Sequence, residues 1–405
     1  MLSFLRENAR WLFAGLTLTF ASSFGQSYFI SLFAGEIRAE FGLTDGGFGG
    51  LYTVATLASG LLLLSRGSWA DTVPARRLTL FIAFGLAGAA LLMAGAKSVP
   101  ILLLSLFLLR FCGQGMFTHI AITTMARWFV ASRGRAVSIA GIGHSLGEAI
   151  LPFIVVQLLL VLAWRQVWLL TAAVLLLALL PLLMGLLARD RQPTGQELSV
   201  GTGGLGGRHW RRGEVLRHWL FWAIVPMVLT PGFIGTVVFF HQVHVSEVKG
   251  WSLAAMAPAY PVYAVVTVVT AITTGWAIDR IGPRAFLPLV LLPMALGISL
   301  IGPSETVWGW IAALGIIGIT QGMSATLWGT FLPYLYGTDH LGSVRAITAA
   351  IMVFSTAIGP GLTGWIIDLG VDFPDQGLAM ALWCVALSAA MVLVGRRLAR
   401  ETVSA

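Results

Sequence analysis

The sequence predicts an all-α membrane protein with twelve transmembrane helices in two pseudo-symmetric six-helix bundles. Composition, segment length and an internal repeat carry that prediction. Of 405 residues, 57% are hydrophobic and only 10% charged, with a mean hydropathy of +0.87, more apolar than a water-facing surface tolerates. Lipid offers backbone amides no partner, so a spanning helix needs about 20 apolar residues. The chain divides into runs of that kind with nothing left over for a soluble domain. Short signatures then recur in the same order in each half.

In chain order the runs lie near 11–35, 46–65, 78–96, 100–125, 136–162 and 166–188, then 218–242, 252–275, 285–302, 307–332, 345–368 and 377–395. The expected organisation is therefore an N-terminal bundle over 1–188, a linker over 189–217 and a C-terminal bundle over 218–405. The linker is rich in Gly and Arg, which reads as a flexible connector. Its second part, Arg208 to Trp219, fits either a short basic helix on the inner leaflet or a solvated loop. "ASS" at 21–23 mimics a signal-cleavage site, but apolar sequence continues to about Phe33, so cleavage is not expected. Cys112 and Cys384 both fall within runs and indicate no disulfide framework.

The formal net charge of +8 describes topology rather than nucleic-acid binding. With the N-terminus in the cytoplasm, only Arg38, Lys97, Arg165 and Lys249 of the 25 Lys and Arg face outward, and Arg110 lies within a run. That asymmetry is the positive-inside signature of an inner-membrane protein with both termini in the cytoplasm.

The repeat is visible in three places. "LSRGSWADTVPARR" (64–77) and "TTGWAIDRIGPR" (273–284) place Gly67, Asp71 and Arg76 much as Gly275, Asp279 and Arg284 are placed. "GQGM" (113–116) answers "TQGM" (320–323), and Arg135-Ala136 answers Arg345-Ala346. A parallel repeat of six plus six helices is the architecture such matches imply.

On these residues the chain resembles the major facilitator superfamily over its whole length. That family's loop between its second and third helices follows Gly-x-x-x-Asp-Arg-x-Gly-Arg-Arg/Lys. Gly275, Asp279, Arg280, Gly282 and Arg284 match it apart from Pro283, whereas the first copy has Thr72 for the Arg and Pro74 for the Gly. "RFCGQG" (110–115) looks like the family's fourth-helix motif, with Arg110 and Gly115 as its matches. The fifth-helix antiporter signature departs, because Glu148 stands where Pro is expected; Gly359 and Pro360 sit in the eleventh run instead, similar to solute-uptake branches. The resemblance implies that the two loops latch the halves together on the cytoplasmic side, Asp71 facing Arg345 and Asp279 facing Arg135. Simple loop anchoring is the alternative.

A charge at bilayer centre costs about 2.5–3.5 kcal/mol, so each one retained needs a reason. At 1.5 Å per residue, Arg110 lies about 15 Å deep from one side and Glu148 about 18 Å from the other. A pair between them is therefore geometrically reasonable. His144 precedes Glu148 by one helical turn, and His119 reaches a depth close to His144, giving two polar layers between helices four and five. The repeat-related positions are Ile317, Thr326, Phe354 and Ile358. In one reading Glu148 takes up a proton and frees Arg110 to hold a substrate carboxylate, giving proton-coupled uptake of a small organic anion. In the other, the ions pair permanently and the histidines hydrogen-bond across helices. Gln26, Tyr28 and Gln321 are further cavity candidates, Tyr260, Tyr263 and Trp328 fit aromatic packing better, and His241 and His244 fit an outer gate.

Other classes find less support. "GHSLG" (143–147) matches the hydrolase elbow Gly-x-Ser-x-Gly, but Ser145 falls mid-helix rather than on a strand-turn-helix corner. No Walker A or His-Glu-x-x-His pattern occurs, and a channel would carry a selectivity ring rather than a repeat with charged loops. The expectation is a secondary active transporter, working as a monomer in lipid, with a small solute and protons as partners and no cofactor, metal or nucleic acid. The alternative is a proton-antiporting exporter of amphipathic compounds, suggested by the 23 Phe and 15 Trp.

Overall fold

The computed structural model describes residues 2–129, 132–191 and 203–403, so linker residues 192–202 lie outside the described residues. Among the described residues the structure is helical with no strand. Ten of its helices are long and apolar enough to cross a membrane. The chain falls into two compact units, Met1–Leu198 and Ser199–Ala405.

The first unit contains α1 (Leu2–Ala21), α2 (Asp45–Arg66), α3 (Ala75–Gly95), α4 (Val99–Trp128), α5 (Arg133–Leu159) and α6 (Trp164–Leu186). The helix before α2 ends on Gly42, whose φ of +62° suits a residue without Cβ. The Thr44 hydroxyl then accepts the Gly47 N–H at 2.9 Å and starts α2. α1 packs along α5 through small residues. A Cβ on Gly143 would run into the Leu16 carbonyl and Thr19, and one on Gly147 would run into Ser23. At that seam the Thr19 hydroxyl donates to the Ala140 carbonyl.

The second unit contains α7 (Trp219–Phe240), α8 (Leu253–Ile281), α9 (Leu292–Ile301), α10 (Val307–Tyr336), α11 (Leu341–Asp368) and α12 (Phe373–Val403). α8 and α10 meet on glycine: a Cβ on Gly318 would lie 2.9 Å from the Tyr263 carbonyl, and one on Gly322 2.8 Å from the Ala271 amide nitrogen. Of the two readings of the segment ahead of α7, a short basic helix or a loop, the structure has a helix over Arg212–Arg217 only, capped where Glu214 accepts the Arg211 N–H at 2.7 Å.

Two of the expected runs are not single spans. The first, 11–35, is interrupted after Ala21 by a tight 3₁₀ turn over Ser22–Gly25 and by extended backbone at Gln26 (φ −86°, ψ 155°). The ninth, 285–302, begins in a 3₁₀ helix over Pro283–Phe286, turns, and is α-helical only from Leu292, because Pro288 and Pro293 remove amide donors where an α-helix would otherwise propagate.

Candidate functional site

The break in the first span builds the site. Where a helix stops inside an apolar environment, its last carbonyls lose their i+4 donors and need others. Arg110 supplies one: its Nη1 donates to the Gly25 carbonyl at 3.0 Å. Its Nε donates to the Thr56 hydroxyl of α2 at 3.1 Å, and the guanidinium stands 5.0 Å from the centre of the Tyr52 ring. Tyr52 and Thr56 are one turn apart on α2, so a single face presents both. Arg110 is 1% exposed. It sits in a π-helical stretch of α4, Leu109–Phe117, the kind of local widening that collects at functional sites.

Close approach of the two elements depends on glycine. A Cβ on Gly25 would fall 2.8 Å from the Gly113 Cα, and one on Gly113 would fall 2.7 Å from the Gly25 Cα. Gly115, singled out by the motif, is less constrained, since its Cβ would meet nothing nearer than 3.4 Å. The residue of "GQG" that this contact requires is Gly113.

On the other flank of the same break, the Tyr28 hydroxyl donates to Ser23 Oγ at 2.9 Å, and the Tyr28 ring meets the His144 ring edge-on at 5.8 Å. Glu148 lies within electrostatic range of that phenol. Both His144 and Glu148 are half-buried on α5. The expected ion pair is absent: among the described residues of this unit, no hydrogen bond or ion pair joins Arg110 to Glu148. Similar depth on antiparallel helices does not produce contact here because the broken first span packs against both α4 and α5. Arg110 takes its Gly25 end while His144 and Glu148 take its Tyr28 end. Gln26 lies between them, 7% exposed. Ser145 is mid-helix in α5, with no strand beside it among the described residues.

The second expected layer does not form either. His119 Nε2 lies 2.9 Å from the Gly67 carbonyl, so His119 belongs to the loop after α2 rather than to His144. Two turns further along α4, Arg127 Nη1 donates to the Ala70 and Asp71 carbonyls at 3.0 and 3.2 Å. The Asp71 side chain is exposed, as is Arg76, and in this unit Arg127 binds the Asp71 backbone rather than its carboxylate. Arg135, also exposed, stands 5.7 Å from the Phe4 ring centre.

In the second unit the matching loop leaves Asp279 exposed and sets Arg280 over the Trp276 ring at 3.7 Å. Gly282 adopts φ +80°, a conformation that Pro74 in the first copy cannot reach, so the two loops turn differently. Arg284 is half-buried, and a Cβ on Gly275 would make ordinary contact with Thr326 at 3.6 Å. Arg345 Nη2 donates to the Gly329 carbonyl at 3.0 Å. Gln321 Nε2 donates to the Pro231 carbonyl at 3.2 Å, bridging α10 to α7. Tyr260 and Tyr263 pack on Phe239, with ring centres 5.9 and 5.1 Å away. His241 bonds Thr363 at 2.8 Å, and His244 Nε2 lies 3.2 Å from Asp372, so both histidines are spoken for within their own unit.

A family model described as the Major Facilitator Superfamily matches residues 15–360 and 260–402. This chain belongs to the Major Facilitator Superfamily. It is accordingly a multi-pass membrane transporter, in a superfamily whose members carry small solutes. It is similar to a gallate transporter of Pseudomonas putida, 23% identical over 91% of this chain and 88% of the relative. It is also similar to an oxalate:formate antiporter of Oxalobacter formigenes, 23% identical over 88% of this chain and 86% of the relative. Two solved structures share the superfamily fold. The nucleoside transporter NupG superposes with a TM-score of 0.70 at 12% identity, covering 95% of this chain and 98% of that one. A bacterial homolog of the human lysosomal transporter Spinster, inward-facing and unoccupied, gives 0.65 at 17% identity over 98% of this chain and 95% of the other.

Proposed function

We propose that this superfamily member is a secondary active transporter, not an enzyme, that moves a small carboxylate by alternating access of two six-helix bundles, twelve spans in all, coupled to protons. One observation carries the anion reading. Arg110 is buried, and every partner it has among the described residues of its unit is neutral: a carbonyl, a hydroxyl and an aromatic face. A buried guanidinium without a carboxylate is an uncompensated charge, and an incoming anion relieves it. Its fork of donors is only partly used by Gly25 and Thr56, which leaves N–H groups for a carboxylate. Gallate, oxalate and formate, the solutes for which the two relatives are named, are all carboxylates, which supports the same class.

Glu148, beside Tyr28 and His144 on the other flank of the break, is the proton-accepting group in this reading, and it acts without having to release Arg110. Gln26 lies between the two, and Gln321 is a further solute-contacting residue in this reading. Asp71 and Asp279 are the gating carboxylates of the two loops, and His241 and His244 hold the outer gate. The protein works as a monomer in the inner membrane with both termini in the cytoplasm, importing solute with protons.

The test is uptake of labelled gallate, oxalate and formate into proteoliposomes, with and without an imposed proton gradient. Gradient-stimulated uptake of at least one of them is expected. Glu148→Gln is expected to keep solute exchange and lose the stimulation. Stimulation that persists in Glu148→Gln removes the coupling role, and transport of amphipathic cations in place of carboxylates removes the substrate class.

A further inference from the structure

The break in the first span leaves two polar side chains unspent, side by side. The Arg110 guanidinium uses Nε on Thr56 and Nη1 on the Gly25 carbonyl. Its Nη2 bonds nothing among the described residues and, although the side chain is 1% exposed, this atom is not sealed from accessible space. Gln26 repeats the pattern one peptide further along. Its backbone is satisfied: the N–H donates to the Ser23 carbonyl at 3.0 Å, and its carbonyl accepts the Phe29 and Ile30 N–H groups at 3.2 and 3.1 Å as the helix restarts. Its side-chain amide, on a residue 7% exposed, has no hydrogen-bond partner among the described residues and is likewise unsealed. The two groups meet through the Gly25–Gln26 peptide, whose carbonyl Arg110 holds.

A buried polar group without a partner is costly, and more so when it is charged. A single ligand relieves both by bringing an anion to Nη2 and a neutral polar group to the amide, which has donors and an acceptor to offer. The count of charges narrows that ligand. Arg110 is the only Lys or Arg within an apolar run, and the repeat-related residue is Ile317. The ionisable groups on the other flank of the break are Tyr28, His144 and Glu148, and an ionised Glu148 only lowers the positive charge available. One carboxylate is therefore compensated by Arg110. A second would be buried facing an uncharged amide, the condition that makes an unpaired ion expensive.

We propose that Gln26 sets the specificity of this site: with Arg110 it selects a monocarboxylate that carries a neutral polar group and rejects dicarboxylate dianions. The proposal rests on the carboxylate reading of Arg110 given above. Oxamate and oxalate separate charge from size, because they are nearly isosteric and differ by an amide in place of the second carboxylate. The experiment is calorimetric titration of the purified protein with each of them and with gallate, at about pH 7.5, above the ordinary histidine pKa of about 6.5 and where oxalate is a dianion. Oxamate is expected to bind at least about tenfold more tightly than oxalate, the second carboxylate having no cation to meet it. Gln26→Lys supplies that cation and is expected to reverse the order, whereas Gln26→Leu is expected to weaken oxamate without improving oxalate. Equal or tighter binding of oxalate by the wild-type protein overturns the proposal whether or not the variants fold. So does an unchanged order in folded Gln26→Lys. If gallate binds and oxamate does not, the role of Gln26 falls while the carboxylate reading of Arg110 stands. If none of the three binds, that reading falls and this proposal falls with it.

Discussion

At position 110 the first unit buries an arginine, and at the repeat-related position 317 the second buries an isoleucine, each 1% exposed. The contrast extends around both. Gly113 meets Gly25 backbone to backbone, whereas its counterpart Thr320 donates to the Val290 carbonyl at 2.8 Å and accepts the Met294 N–H at 2.9 Å. His119 reaches the Gly67 carbonyl, and its counterpart Thr326 reaches the Ala271 carbonyl, one turn before Gly275, at 3.0 Å. The tie from the fourth helix of each unit to the second is therefore kept with a different donor, while charge in the middle of the fold is kept once. What the difference teaches is that the repeat specifies the scaffold. The helix break at Ser22–Gln26 is what makes a buried cation tolerable, by giving it a free carbonyl to hold.

The sharpest way to break this comparison is Ile317→Arg. Ile317 packs against α9, where a Cβ on Gly297 would lie 2.7 Å from its Cγ1, so a guanidinium there is buried against the apolar packing and the protein should lose about 3 kcal/mol or more of stability. Thermal unfolding in detergent checks it, and a stable variant would mean that the surroundings of Arg110 are not special. A smaller effect is expected of His119→Ala, about 1 kcal/mol for the lost bond to Gly67, together with faster labelling of a cysteine placed at Ser68 in the freed loop. Equal labelling in both backgrounds would reduce His119 to packing.

The smallest effect tests whether burial, rather than charge as such, sets the scale. Arg165 and Glu40 pair near the surface of the first unit, and the hydrogen bond from Arg165 holds the Glu40 carboxyl below its ordinary range. A depressed carboxyl contributes stability above its unfolded-state pKa and loses it as the pH falls through the folded value. With Glu40 43% exposed, Glu40→Gln should cost less than about 1 kcal/mol at neutral pH and nothing in acid. A cost comparable to that of the buried substitution would contradict the distinction.

Much of the scaffold was legible in the sequence because lipid leaves the backbone few choices: apolar runs, prolines and glycines mark most helices and their limits. Arg110 was legible by its rarity, and the loop aspartates by their repetition. The partners were not, because depth along a helix is one coordinate and contact needs three. Counting residues placed Arg110 opposite Glu148 and His119 opposite His144, but Arg110 is taken by the broken first helix and His119 by the Gly67 carbonyl. The signal that corrects the first of these lies in "ASSFGQS" (21–27), a cluster of small and polar residues that reads as a helix breaker as readily as a cleavage site. Tyr52, Thr56 and Gly113 were missed for a related reason. Each matters only because the break brings a free carbonyl to it.

The most direct measurement is equilibrium binding of labelled oxalate and gallate to purified wild-type protein and to Arg110→Gln at equal, low salt, with unfolding temperatures recorded for both. If the buried guanidinium awaits an anion, affinity falls about a hundredfold in the variant, the loss of a charge-assisted pair of hydrogen bonds, while the unfolding temperature holds or rises because an uncompensated charge has been removed. Unchanged affinity in a folded variant, or a collapse of stability with no carboxylate bound by wild type, would show that Arg110 only staples the broken helix.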